Sequence, residues 1–275
     1  MGHFLTFILP CFNYADIIEQ SLASIYQQKL NIPFEVICTD DCSTDERTRD
    51  ILRKWEKLYS NFYAHYHTEN KSEGGACNTC IEHSKGDLIF CLDTDNVLVK
   101  DSVQDLVDLI DKTGCEGACF HRLKYFIEID KKYAVQFDEN YWTFKAPDNI
   151  VDIHHIISTS ETPASSGNYL FTRESYNRAG GYSENNCMGS YCFGFKQHAT
   201  GSRIAVLPNT FYWHRYSKDG MYLTNLKKGT IGKDVWSVVS VYMNIFTEET
   251  QKFLKEGENR YNFIGYCNAG KIKIK

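Results

Sequence analysis

Two acidic residues, Asp93 and Asp95, are separated by one residue and directly follow the apolar segment Asp87–Leu92. Hard divalent cations such as Mg²⁺ and Mn²⁺ prefer oxygen ligands and keep coordination positions open for phosphate oxygens and water. The tripeptide Asp93-Thr94-Asp95 therefore predicts a metal site. The same tripeptide also suits a solvated turn in which one carboxylate caps the next element.

A second acidic pair, Asp40 and Asp41, follows the strand-like segment Phe34–Cys38. A carboxylate at this point can accept hydrogen bonds from a nucleobase N–H or from ribose hydroxyls, so Asp41 is a candidate for nucleotide recognition. For Asp40 and for Asp45 we expect a structural role in the loop or at a helix N-terminus. Ser43 or Thr44 is expected to cap that helix, which would run to Leu58.

The elements that must position these residues alternate between strand and helix signals. This order predicts a doubly wound, mostly parallel sheet, in which ligands bind beyond the carboxyl ends of the strands. Both acidic pairs lie at such an end. The predicted strands of the first half are Phe4–Leu9, Phe34–Cys38, Phe62–His67 and Asp87–Leu92, and the helices are Ile17–Gln28, 43–58, Gly75–His83 and Asp101–Lys112.

The second half is less regular, and no linker divides the chain. The aromatic-rich segment 121–166 is a candidate acceptor loop, and its aromatic side chains equally suit a role in covering the open edge of the sheet. Further predicted strands are Asn168–Thr172, Arg203–Leu207 and Phe211–His214, and further predicted helices are Arg173–Ala179, 188–200 and a long tail over Asp234–Glu256.

The charge, cysteine spacing and apolar segments of the chain argue against several functional classes. The 275 residues carry a formal net charge of −5 and no concentrated basic patch, which argues against nucleic-acid binding. The 11 cysteines show no framework spacing, the N-terminus lacks signal-peptide features, and no transmembrane segment is visible. We therefore expect a cytoplasmic protein with free thiols. Cys77 and Cys80 are expected to be buried helix thiols rather than metal ligands.

Several blocks along the chain together resemble the glycosyltransferase family 2 pattern. The order and spacing carry this resemblance over roughly residues 4–216, and no single motif does. The blocks are Phe7–Tyr14, Glu35–Asp45, Gly74–Asn78, Gly86–Asn96, Gly167–Glu174, Gly180–Tyr182 and Trp213–Arg215.

The resemblance implies an α/β GT-A fold, Rossmann-like, with the transferase domain over 1–216 and a mainly helical extension over 217–275 packed on it. It implies an inverting glycosyltransferase that moves a sugar from a nucleotide-sugar, with a UDP-sugar favoured, to a glycan acceptor with Mn²⁺ or Mg²⁺. The implied nucleotide-sugar-binding residues are Pro10, Phe12, Asp41, Asn78, Asp93 and Thr94. The implied metal ligands are Asp95, Asp93 and His214.

The sequence departs from the family pattern where the general base is expected. Ser190 stands at that position, and a serine is no comparable proton acceptor without a partner base. Glu184 is one substitute, although it also suits a surface loop; a shifted alignment would instead offer Glu161 or Asp152. The remaining reading is a catalytically impaired domain that acts as a nucleotide-sugar, glycan or protein binding module.

A second departure is Cys77, where many relatives carry arginine. Its lost charge could be supplied by Arg215, Lys218 or Lys228. A sugar-phosphate nucleotidyltransferase is disfavoured, because the segment from Pro10 to Tyr14 contains no glycine.

Overall fold

The structure, a computed structural model, describes residues 2–129, 132–143, 146–163, 167–216 and 221–275. Within these residues a nine-stranded mixed sheet is flanked by helices, as the sequence predicts. The strands are β1 (Leu5–Cys11), β2 (Phe34–Asp40), β3 (Phe62–Tyr66), β4 (Leu88–Cys91), β5 (Gly117–Ile129), β6 (Lys132–Thr143), β7 (Ile150–Val151), β8 (Tyr169–Thr172) and β9 (Ile204–Arg215).

Eleven α-helices are present in the described part of the chain. They are α1 (Ile18–Tyr26), α2 (Glu46–Leu58), α3 (Ser72–Glu82), α4 (Val103–Thr113), α5 (Ile153–Thr159), α6 (Arg173–Ala179), α7 (Gly189–Ala199), α8 (Met221–Lys228), α9 (Ile231–Val239), α10 (Glu248–Lys255) and α11 (Phe263–Asn268). None of these described helices is long and apolar enough to cross a membrane.

The strand order creates the crevice that the sequence predicts. The sheet runs β3-β2-β1-β4-β8-β5-β9-β7, with β6 paired to β5. Strands β2 and β4 both pair in parallel with β1, on its opposite edges. The chain therefore winds outward from β1 to β3 and then crosses to the other side at β4. A ligand crevice forms at such a reversal of strand order, beyond the carboxyl ends of the strands.

Apolar side chains on the two faces of the sheet form two separate cores. Leu5, Phe7 and Leu9 of β1 pack with α1, α2 and α4, whereas Ile8 points to the face covered by α3, α5, α7 and α9–α11. Side chains of β1 thus contribute to both cores, because successive side chains of a strand point to opposite faces of the sheet.

The C-terminal helices share the second of these cores. Val235 of α9, Leu254 of α10 and Phe263 of α11 are buried in the same cluster as Phe193 of α7. The tail predicted over Asp234–Glu256 is mainly helical, as expected, and it is divided into α9, a 3₁₀ segment and α10. The proposed boundary between 216 and 217 lies beside residues 217–220, which are outside the described part.

Two local predictions, the cap of α2 and the length of β9, differ from the structure. Asp45, rather than Ser43 or Thr44, caps α2, and its carboxylate accepts a hydrogen bond from the Arg47 amide. Strand β9 continues through Pro208 and Asn209, where two strands were predicted. It pairs with β5 on both sides of a register shift between Phe120 and Arg122, which accommodates the interruption.

Candidate functional site

The carboxyl ends of β1, β2 and β4 meet at the crevice and bring the two predicted acidic pairs together. The Asp41 amide donates to the carbonyl of Cys11 at 2.8 Å, and the Leu92 amide donates to the carbonyl of Ile8 at 3.0 Å. The residue after β2 and the residues after β4 are therefore anchored to the same central strand, β1.

Asp41 is buried and held in one orientation by polar contacts. Its Oδ1 accepts from the Lys71 amide at 2.8 Å and lies 2.7 Å from His67 Nδ1. The other His67 nitrogen lies 2.9 Å from the Thr79 hydroxyl on α3. His67 was not identified from the sequence. Its only signal was its place after β3, next to β2 in the sheet.

The loop after β1 is locked to the loop after β2 by Asn13, which has a left-handed backbone with φ of 60°. Its Oδ1 accepts from the amides of Thr44 at 2.9 Å and Asp45 at 3.0 Å. Asparagine tolerates this conformation better than most residues. The neighbouring residue, Phe12, is 42% exposed, so its ring is available to a ligand.

Two neighbouring polar residues, Asp40 and Thr94, make structural contacts. Asp40 is fully buried, and its Oδ2 accepts from Arg49 Nε at 2.8 Å, which agrees with the role expected for it. The buried Thr94 hydroxyl donates to the carbonyl of Pro10, and the Thr94 carbonyl accepts from Ser21 Oγ at 2.7 Å. Thr94 therefore ties β4 to β1 and α1, and Pro10 takes part through its backbone.

Asp93 is enclosed by amide groups and by a glycine. Its Oδ2 accepts from Asn96 Nδ2 at 3.3 Å and from Asn168 Nδ2 at 3.4 Å. A side chain at Gly167 would overlap the Asp93 carboxylate, and Gly167 has a left-handed φ of 74°. Only glycine satisfies both conditions without strain.

A third carboxylate, Glu73, joins Asp93 and Asp95 in this crevice. Burial, with added repulsion from Glu73, raises the pKa of Asp93 well above its ordinary value. Burial raises the pKa of Asp95 to about 6, and Glu73 adds to this shift. The Tyr14 pKa is raised by burial and then by the same three carboxylates. The crevice thus concentrates negative charge in a partly desolvated place.

Glu73 lies in the first turn of α3 and accepts a hydrogen bond from the Ser190 hydroxyl in the first turn of α7. Burial raises the Glu73 pKa, while the Ser190 bond acts in the opposite direction. Glu184, the acid expected near Ser190 from the sequence, is exposed in the loop between α6 and α7. Asp152 caps α5, and Glu161 lies 3.8 Å from His155, so both belong to the α5 region.

Asn78 positions this wall of the crevice. Its Oδ1 accepts from the Tyr182 amide at 2.9 Å and from the Tyr176 hydroxyl at 2.9 Å, and its Nδ2 donates to the Tyr182 carbonyl at 3.1 Å. The carboxamide therefore supports this wall through protein groups, and the nucleotide-sugar contact expected of Asn78 stays a prediction. Cys77 and Cys80 on the same helix are fully buried, as expected.

Arg215 brings positive charge to the crevice from the end of β9. Its Nε donates to the Asp95 carbonyl at 3.0 Å, and its guanidinium lies 4.5 Å from the centre of the Phe126 ring. Its charge also favours ionised Asp95. Of the other two candidates, Lys228 is exposed on α8 and Lys218 lies outside the described residues.

The charge balance of this crevice fits a divalent cation. Asp93 and Asp95 carry raised pKa values because burial and like charge oppose their ionisation, and a cation would remove both costs. Burial lowers the pKa of His214 to about 4, so its ring is neutral, and its Nδ1 is buried with no hydrogen bond partner among the described residues. No three described His, Cys, Asp or Glu side chains form a complete ligand set. Two carboxylates, with phosphate and water oxygens, are sufficient for Mg²⁺.

The comparisons with known proteins agree with this architecture. The family model described as Glycosyl transferase family 2 matches residues 6–180. The poly(ribitol-phosphate) beta-N-acetylglucosaminyltransferase TarS of Staphylococcus aureus (strain MW2) is 22% identical over 276 residues, which cover 98% of this chain and 46% of TarS. The chain spans less than half the length of the first curated relatives that it matches.

Solved structures show the same fold. The crystal structure of S. aureus TarS 1–349 in complex with UDP-GlcNAc has a TM-score of 0.67 and 18% identity, covering 94% of this chain and 70% of that one. The mannosyltransferase PcManGT from Pyrobaculum calidifontis in complex with GDP-Man and Mn²⁺ has a TM-score of 0.63 and 19% identity, covering 98% of this chain and 70% of that one.

Proposed function

Because the chain belongs to glycosyl transferase family 2, we propose that it transfers a sugar from a nucleotide-sugar to a glycan acceptor. The supporting observation is the meeting of Asp41 with the carboxylates of Asp93 and Asp95 at the end of the three central parallel strands. A nucleotide that spans the crevice would place its base near Asp41 and its diphosphate near Asp95.

The nucleoside part of the donor is assigned to the loops after β1 and β2. The fixed Asp41 carboxylate is suited to accept hydrogen bonds from a base N–H or from ribose hydroxyls. The exposed ring of Phe12 offers a stacking surface for the base. We favour a UDP-sugar as the donor, and UDP-GlcNAc is the natural first choice because the TarS structure named above contains it.

The diphosphate part is assigned to Asp95 and Asp93, which would hold Mn²⁺ or Mg²⁺, with His214 as a further ligand. When bound, the cation supplies Lewis-acid stabilisation of the charge that builds on the leaving diphosphate. Arg215 adds a second positive group beside the Asp95 backbone. All four side chains are half-buried, which strengthens each electrostatic contact relative to the open surface.

The reaction is proposed to be an inverting displacement. The acceptor hydroxyl attacks the anomeric carbon, the bond from that carbon to the diphosphate oxygen breaks, and a protein base receives the hydroxyl proton. We further propose a reducing compartment such as the cytoplasm, because each of the eleven cysteines, all in the described part of the chain, is a free thiol.

Calorimetric titration of UDP, GDP and dTDP tests this assignment. We expect UDP to bind in the presence of Mn²⁺, binding to fall at least tenfold in EDTA, and Asp95→Ala to abolish the metal response. Asp108→Ala, on the exposed side of α4, is the matched control and keeps wild-type affinity. An Asp95→Ala protein with unchanged affinity and metal response would remove Asp95 from the donor site.

An assay of UDP release from UDP-GlcNAc, run beside that titration, tests the binding-module alternative. That reading was motivated by the missing acid at Ser190. A protein that binds UDP-GlcNAc with Mn²⁺ but never releases UDP is a binding module. Steady release of UDP identifies an enzyme.

A further inference from the structure

Two side chains of α3 and the segment 182–190 form one wall of the crevice, although they are distant in sequence. Glu73 accepts a hydrogen bond from Ser190, 117 positions away. Asn78, on the same helix, bonds to the backbone of Tyr182 in the loop before α7, 104 positions away. A carboxylate thus contacts the serine, although it comes from a distant part of the sequence.

The backbone is built to keep Glu73 at this place. A side chain at Gly74 would overlap the carbonyl oxygen of Ser183, and one at Gly189 would lie 3.6 Å from the Gly74 nitrogen. Gly74 therefore lets α3 approach the backbone of the loop before α7, whereas a side chain at Gly189 would make only an ordinary contact with α3. Ser72, with a φ of 68°, accepts a hydrogen bond at its hydroxyl oxygen from the Asn185 amide at 3.0 Å.

Effects of opposite sign act on the Glu73 carboxyl. Glu73 lies in the first turn of α3, where a helix N-terminus favours negative charge, and the hydrogen bond from Ser190 lowers its pKa. Burial has the larger effect and raises the Glu73 pKa above its ordinary value. A carboxylate with a raised pKa is a better proton acceptor than an ordinary exposed one.

Glu73 is separate from the pair assigned to the metal. It acts on Asp93 and Asp95 through repulsion, and no set of three described His, Cys, Asp or Glu side chains, Glu73 included, is arranged to hold an ion. A carboxylate near the diphosphate site but outside the ligand pair is placed to meet the acceptor. The ionisable groups that act on Glu73 or are acted on by it are Tyr14, Cys77, Asp93, Asp95 and Tyr182.

We propose that Glu73, held by Ser190, is the general base that takes the proton from the acceptor hydroxyl. This inference rests on the proposed function. In the reaction, the acceptor oxygen forms a bond to the anomeric carbon, the leaving nucleoside diphosphate keeps the electron pair of the broken bond, and the hydroxyl proton moves to a Glu73 carboxylate oxygen. Ser190 is a positioning residue, because it acts through Glu73.

The experiment compares Glu73→Gln, Ser190→Ala and Glu184→Gln with Glu82→Gln, an exposed glutamate at the other end of α3. UDP binding with Mn²⁺ is measured by calorimetry. UDP release from UDP-GlcNAc is measured with poly(ribitol phosphate) as acceptor and with water alone. Thermal melting confirms that each variant is folded.

We expect Glu73→Gln to lower the rate of UDP release by roughly 10²- to 10⁴-fold while UDP affinity stays within about twofold. Glu82→Gln and Glu184→Gln should keep the wild-type rate. Ser190→Ala should lower the rate less and move the acid limb of the pH–rate profile to higher pH, because the lost hydrogen bond had favoured the carboxylate.

Two outcomes overturn the inference. One is a Glu73→Gln variant that loses Mn²⁺-dependent UDP binding, as expected for Asp95→Ala, since Glu73 would then belong to the metal site. The other is UDP release that is unaffected by Glu73→Gln, or absent in a wild type that binds UDP-GlcNAc. Failure of the wild type to bind any nucleotide refutes the proposed function as well and is recognised by the calorimetry alone.

Discussion

Replacing Asp95 by asparagine is expected to stabilise the metal-free protein. Burial holds the pKa of this carboxyl at about 6, against an ordinary value of 3.8. This difference corresponds to about 3 kcal/mol of preference for the neutral form in the folded protein. Asparagine is neutral at every pH and has nearly the same shape, so it avoids the cost of the buried charge.

The sign of the effect follows from the raised pKa. The favourable contribution of neutral Asp95 is complete below pH 3.8, and it is lost as the pH rises through about 6. The variant and the wild type should therefore melt together near pH 4. Near pH 8 Asp95→Asn should be up to about 3 kcal/mol more stable, which is roughly 6 to 10 °C in Tm.

Thermal melting with EDTA at several pH values measures this difference, and Asp108→Asn on the exposed side of α4 is the control. Adding Mn²⁺ and UDP should reverse the order, because a ligand that binds only the folded wild type at about 100 times its Kd stabilises it by about 2.7 kcal/mol. If Asp95→Asn is less stable than the wild type near pH 8 in EDTA, burial does not make the ionised Asp95 carboxylate unfavourable.

Two further predictions concern the loops around the crevice. Of the eleven cysteines, Cys42 and Cys187 are the two that are partly exposed. Both should react with a thiol reagent in the native protein. UDP with Mn²⁺ should protect Cys42, which follows Asp41, and the protected thiol should be missing in Cys42→Ser. Protection of neither thiol would place the nucleotide elsewhere. Gly74→Ala should destabilise the fold by about 1 to 3 kcal/mol and slow transfer more than it weakens UDP binding, because the new methyl group meets the Ser183 backbone. Gly2→Ala, with open space around it, is the control, and equal melting of the two variants would contradict this packing.

The sheet and the place of the acidic residues could be predicted because their signals are local. Apolar runs of strand length end at Asp40 and Asp93, and parallel strands bring their carboxyl ends to one edge. The blocks of family resemblance add the prediction that Asp41, Asp93 and Asp95 face a nucleotide. The exposed position of Phe12 also agrees with its expected place in the loop after β1.

The wall that contains Glu73 could not be predicted because its contacts are not local. Whether a glutamate in the first turn of α3 meets Ser190 depends on how closely α3 packs against α7 and the loop before it. Gly74 permits this approach, because a side chain there would overlap the Ser183 carbonyl oxygen. The role of Asn78 likewise depends on Tyr182, 104 positions away. Closeness in sequence to Ser190 therefore indicated Glu184, which is exposed, and not Glu73.

The contact between α9 and the loop before α7 means that the working unit is larger than the segment recognised as the family. That segment ends at residue 180. Asp234 of α9, however, accepts from the Cys187 amide at 2.9 Å through its carboxylate and from Asn186 Nδ2 at 3.1 Å through its carbonyl. The last helices thus act as a scaffold for the residue that holds the base. Sequence changes there are able to alter turnover while every residue that touches the donor stays the same. A recombinant chimera that exchanges only the recognised segment would transfer Glu73 without Ser190, and Asp95 without His214 and Arg215.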